Sequence, residues 1–247
     1  MKKTLFFFLL SLLTLPVFAQ KTDTRVFEMR IYYAEPGKLD ALIERFQKHT
    51  TKLFEKHGME NIGYWLPVDN EKNMLVYVLA YPDLNARETA WKAFSADPKW
   101  KKVQTKSERK GKIVQKIESV FMKATDFSPA ILESPKRNRV FELRTYTAGP
   151  GKLADLLTRF REHTTALFVK HGMENIAYWT TEEKENTQPK LIYILAHPSA
   201  AEGKKAFDNF RRDPEWVNVK AASEKNGTLA EKVESVYMKA LPFSKIK

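Results

Sequence analysis

Glutamate, arginine and tyrosine recur at every second position in two stretches of the sequence, as Glu28, Arg30 and Tyr32 and again as Glu142, Arg144 and Tyr146. Alternate spacing places the three side chains of each set on one face of a strand. On such a face an arginine can hold an anionic or carbonyl group while tyrosine or glutamate moves a proton. The same residues also have a structural use. A glutamate paired with an arginine of its own or the opposite sheet fixes the register, because a buried charge left unpaired is costly. The intervening Phe27 and Met29, repeated as Phe141 and Leu143, face the other way. Those apolar residues are expected to meet helices, which would turn both polar triplets into the space between two sheets.

Other chemistry-bearing residues rank lower. His49 and His163 lie on the edge of an apolar helical stripe, and His57 and His171 near the helix end. Within each helix the two histidines are about 12 Å apart along the axis and about 80° apart around it, so they cannot chelate one metal. The chain has no HxxxH, HExxH or cysteine ligand pattern, and no metal or cofactor is expected. Trp65 and Trp179 repeat each other and read as packing or as pocket lining. A glycine-rich phosphate loop, a GxSxG elbow and a Cys/His dyad are all missing from the sequence.

The elements that position these residues occur twice. Val26 to Tyr32 returns as Val140 to Tyr146, Pro36-Gly37-Lys38-Leu39 as Pro150-Gly151-Lys152-Leu153, and His57 to Ile62 as His171 to Ile176, all at an offset of 114. From Asp97-Pro98, matched by Asp213-Pro214, the offset is 116, so two extra residues lie in the polar stretch between Trp179 and Leu191. Each copy reads as βαββαβ. An alternating strand is followed by an amphipathic helix that stops at a glycine. Two strands, a helix restarted by Asp-Pro and a last strand complete the copy. This is the split βαβ, or ferredoxin-like, unit, whose sheet carries helices on one face only. The fold class expected is α+β, two ferredoxin-like βαββαβ repeats forming an intramolecular dimeric α+β barrel.

At these residues the chain resembles the NIPSNAP family. The resemblance rests on Glu142 to Tyr146, Pro150 to Leu153, Tyr178-Trp179 and Asp213-Pro214-Glu215-Trp216, with the same marks in the first half. It implies tandem domains of the dimeric α+β barrel superfamily and implies no agreed reaction. The superfamily includes cofactor-independent monooxygenases, haem-handling enzymes and small lactone isomerases.

Lys2 and Lys3, the apolar run from Leu5 to Phe18 and the small residue at Ala19 read as a cleaved secretory signal, giving a mature chain from about Gln20. The expected location is therefore periplasmic or secreted, with no membrane association after cleavage. The division expected is 1–19 signal peptide, 20–124 first domain, 125–138 linker and 139–247 second domain. Net charge is +12, and what remains without Lys2 and Lys3 is spread evenly between the halves. The densest basic run, Lys99 to Lys110, reads as a solvated helix face rather than a nucleic-acid site. Two functional classes stand: a barrel binding a small-molecule ligand, with oxygenase or isomerase chemistry the first to test, and a non-catalytic protein that binds a partner. Self-association into a homo-oligomer is compatible with either.

Overall fold

Both copies of the first strand are buried on both faces, which decides how the whole molecule is layered. β1 (Val26–Ala34) is followed by α1 (Leu39–Arg45), a π-helical turn (Phe46–Thr50), α2 (Thr51–Lys56), β2 (Glu60–Pro67) and β3 (Met74–Tyr81). The first half closes with α3 (Leu84–Ala96), α4 (Pro98–Ser107) and β4 (Val114–Ala124). The second half repeats the order as β5 (Val140–Ala148), α5 (Leu153–Arg159), a second π-helical turn (Phe160–Thr164), α6 (Thr165–Lys170), β6 (Glu174–Thr181) and β7 (Lys190–His197). It ends with α7 (Ala200–Arg212), α8 (Pro214–Ser223) and β8 (Ala230–Ala240). The structure is a computed structural model and describes residues 22–131, 133, 138–181 and 188–247. The expected signal peptide, part of the linker and most of the stretch holding the two-residue insertion lie outside the described residues.

Local chemistry sets the element ends. The side chain of Asp97 accepts from the Lys99 amide and caps α4, with Pro98 in its first turn; Asp213 does the same for α8 through Glu215. Gly58 and Gly172 take positive φ after α2 and α6, as a helix stop requires. The sequence predicts one continuous helix from Leu39 to Gly58, and the structure differs by inserting the π-helical turn. There Thr50 Oγ1 donates to the Arg45 carbonyl at 3.1 Å, and Thr164 donates to Arg159 at the same distance. The threonine hydroxyls satisfy carbonyls that the wider turn sets free.

The strands close into one barrel in the order β1-β3-β2-β8-β5-β7-β6-β4. Within each half all pairing is antiparallel, and the halves join through β2 with β8 and β4 with β6, each along three residue pairs. The interior of the barrel is apolar. Phe27, Met29, Trp65, Val78 and Met122 meet Phe141, Leu143, Trp179, Ile194 and Met238 there. The helices pack outside, over two further clusters built on Tyr77 and Tyr193.

Neither half can close the barrel interior by itself, since each supplies one wall of it. Expressed separately, residues 20–128 and 129–247 should dimerise, pair with each other or aggregate. A monomer of either half that unfolds cooperatively, seen by sedimentation and urea titration, would contradict the fused barrel.

Candidate functional site

The polar triplets lie on the opposite face from the one expected. Phe27 and Met29 point into the barrel, while Glu28, Arg30 and Tyr32 point outward beneath the helices, as do Glu142, Arg144 and Tyr146. The reason is chemical. A closed eight-stranded interior filled with aliphatic and aromatic side chains has nothing to pair with a charge, whereas the covering helix brings its own polar groups down to the sheet.

In the first half those groups come from α3. Arg87 Nη2 donates to Glu28 Oε1 at 2.9 Å and its Nε to Oε2 at 3.1 Å. Arg30 Nη1 donates to Oε1 at 2.5 Å, Ser119 Oγ at 2.6 Å, and the Tyr81 hydroxyl to Oε2 at 3.0 Å. Arg30 also donates through Nε to the Tyr77 hydroxyl at 3.0 Å and stacks over Trp91, 4.3 Å from its ring centroid. Glu28 is fully buried. Burial alone would push its pKa up, but the Arg87 hydrogen bonds and the Arg30 charge outweigh that and hold it at about 2. Every lone pair of the carboxylate is engaged, so this is an ion-paired anchor between sheet and helix.

The second half reaches a similar end with different residues. Gly203 stands where Arg87 would be, His197 for Tyr81, Phe207 for Trp91 and Tyr237 for Phe121. Glu142 now receives Arg144 Nη1 at 2.6 Å, Ser235 Oγ at 2.5 Å and His197 Nε2 at 2.9 Å. Burial pushes the Glu142 pKa up, but these donors hold it below the usual carboxylate range. The carboxylate is thus an acceptor only, and His197 carries its hydrogen on Nε2. A side chain at Gly203 would meet the His197 ring and the Tyr237 Cε1 atom at 3.0 Å, so glycine lets the helix close over the substituted rings.

The other sequence candidates divide. Trp65 and Trp179 lie wholly buried inside the barrel against Phe141 and Phe27, and their Nε1 atoms have no hydrogen-bond partner. His49 and His163 are exposed on the helical surface. His57 and His171 instead bind the helix caps, Nε2 lying 2.8 Å from Asp97 and 2.7 Å from Asp213. Among the described residues no group of three His, Cys, Asp or Glu side chains could hold a metal ion, and no helix is long and apolar enough to cross a membrane.

A concave site does exist, between helices and sheet of the first half. A cavity of roughly 350 Å³ is lined by Tyr32 on β1, Arg45 and Phe46 at the π-helical turn, and Phe54, Phe94 and Trp100 on the helices. Glu108, Lys112, Gln115 and Ile117 complete its rim. Arg45 is 5% exposed and lies 5.2 Å from the Trp100 ring centroid. Its Nη1 donates to Glu108 at 3.0 Å, but its buried Nε has no partner. Of the sequence candidates only Tyr32 reaches this cavity. Arg45 is not marked in the sequence because it falls in the middle of the helix expected from Leu39 to Gly58, beside the apolar stripe, where an arginine reads as a solvated side chain.

Comparison with known proteins follows the same division into halves. The NIPSNAP family model matches residues 27–129 and 141–245, nearly all of both repeats. The chain belongs to the NIPSNAP family. It is 24% identical over 214 residues to the NipSnap homolog of Dictyostelium discoideum, covering 83% of this chain and 84% of that one. NipSnap homolog 3A of Homo sapiens is 27% identical over 130 residues, about half of each protein. Among solved structures, an anthrone oxidase-like protein aligns at 13% identity with a TM-score of 0.59, over 91% of this chain and 95% of that one. That likeness shows the fold alone, an α+β barrel, and the family model supplies the two NIPSNAP repeats.

Proposed function

We propose that this NIPSNAP protein binds a small aromatic molecule bearing a carboxylate or carbonyl group, and that it does so in the helix–sheet cavity of the first half rather than inside the barrel. The observation that carries the reading is Arg45, buried at the wall of an aromatic-lined cavity with its Nε unspent. Among the described residues only Nη1 of that guanidinium is hydrogen-bonded, to Ser107 and Glu108, so the group has donors left over for a ligand oxygen. Rings from Tyr32, Phe46 and Trp100 supply the apolar contact, and the volume suits a ligand of one or two rings. The second half keeps Arg159, whose Nε is likewise unpartnered, but carries Thr228 and Glu231 where the first has Lys112 and Gln115, and Lys220 for Gln104. Those exchanges favour the first half for an anion.

The reading is of binding. Oxygenase or isomerase chemistry needs a group free to take a proton, and the cavity's carboxylate, Glu108, is held by Arg45. With the export expected from residues 1–19, the ligand would be met outside the cytoplasm.

A thermal-shift screen of salicylate, naphthoates and aromatic ketones tests the proposal. The wild type should gain several degrees with at least one acid, Arg45→Met should lose that gain, and Arg30→Met should unfold earlier yet keep it. If Arg30→Met abolishes binding while Arg45→Met leaves it intact, the site lies elsewhere.

A further inference from the structure

The lysines of the run from Lys99 to Lys110, which has no basic counterpart in the second half, are left unused by the aromatic cavity. On α4, Lys102 and Lys106 stand four residues apart and share a face. On α1 and its π-helical extension, Glu44, Arg45, Lys48 and His49 turn toward them. Together these residues line a groove of roughly 490 Å³. Lys48 is paired with Glu44, whereas Lys102 and Lys106 form no ion pair with any described residue.

The repeat supplies an internal comparison. The matching groove between α5 and α8 keeps Arg159 and His163, but carries Glu162, Asn218 and Ala222 at the positions of the three lysines. The scaffold therefore does not require lysines there, because the same helix pair packs without them. What they change is the field. Three ammonium groups and a guanidinium outnumber the groove's one carboxylate, Glu44, and attract a multiply charged anion, and the second groove, with Asp155 and a glutamate in place of Lys48, does not. Arg45 lines both the groove and the cavity, so its guanidinium stands between a ligand in one and a ligand in the other.

We infer that the groove between α1 and α4 holds a phosphate, or a group of similar charge, across Arg45 from the aromatic part that fills the cavity. This rests on the ligand reading above for the aromatic part only. Recognition of the phosphate depends on Arg45, Lys48, Lys102 and Lys106, in a rim still open to solvent, and should be strongly salt-dependent.

The test uses the full chain and the second half's own residues. Calorimetric titrations at low salt are run with inorganic pyrophosphate, phenyl phosphate and salicylate, on wild type and on Lys48→Glu/Lys102→Asn/Lys106→Ala. The triple variant should bind pyrophosphate and phenyl phosphate about tenfold or more weakly, with a flatter salt dependence. The reverse graft, Glu162→Lys/Asn218→Lys/Ala222→Lys, should add a second pyrophosphate site. Vesicles containing phosphatidic acid separate the sources. Retention that the triple variant loses assigns the phosphate to a lipid headgroup, and phenyl phosphate binding without retention assigns it to a free ligand. Equal pyrophosphate affinity in wild type and triple variant, or no measurable binding by either, overturns the groove. Loss of salicylate binding with pyrophosphate binding intact would remove the aromatic reading and leave the groove standing.

Discussion

Replacing Glu28 by glutamine should cost about 3–5 kcal/mol of folding stability, because the change leaves the buried Arg30 and partly buried Arg87 guanidinium groups without their common counter-charge. Glu142→Gln should cost less, since one guanidinium and a histidine are involved there in place of two guanidinium groups. The effect has a defined pH dependence. The Glu28 pKa is depressed in the folded state from 4.5 to about 2. Its contribution is therefore complete above pH 4.5 and is lost as the pH falls toward 2. The shift corresponds to about 3 kcal/mol. Urea titrations of wild type and Glu28→Gln should differ by the full amount at pH 7 and converge near pH 2. A difference that persists unchanged at low pH would mean that the carboxylate charge is not what anchors α3 to the sheet.

Trp65→Ala should be as damaging, at about 3–5 kcal/mol, through a different cause. Trp65 is fully buried in the barrel interior, in edge contact with Phe141 and lying back over Gly63, where a Cβ would come within 2.1 Å of its ring. Removing the indole leaves a cavity walled by side chains from both halves, which cannot collapse without moving strands. Ligand binding in the helix–sheet cavity should be unchanged in whatever fraction remains folded. A loss under 1 kcal/mol by urea titration would show an interior with room to spare, and would reopen the barrel as a binding site.

The architecture was legible because it is written locally and twice. Asp97-Pro98 and Asp213-Pro214 mark the same helix start, Gly58 and Gly172 the same helix end, and the run from Met74 to Tyr81 is too short and β-rich to be anything but a strand. Sidedness was not legible. Alternation in β1 separates Phe27 and Met29 from Glu28 and Arg30, but both faces of the strand are buried, so polarity alone does not say which one closes the barrel. The signal that could have decided it lies on α3, where Arg87 and Trp91 stand four residues apart on one face and need a partner on the sheet below. Arg45 was hidden for a related reason. The π-helical turn that follows it depends on threonine side chains bonding five residues back, and hydrophobic periodicity does not register such a turn.

Five tryptophans report on the central claim separately: Trp65 and Trp179 inside the barrel, Trp91 over the Glu28 cluster, Trp100 at the cavity and Trp216 at its counterpart. Each gives its own indole N–H signal in a heteronuclear correlation spectrum. Titration with the tightest aromatic acid from the screen should shift Trp100 strongly and leave Trp65 and Trp179 in place. Large shifts of Trp65 or Trp179 with Trp100 unmoved would place the ligand inside the barrel and contradict the account.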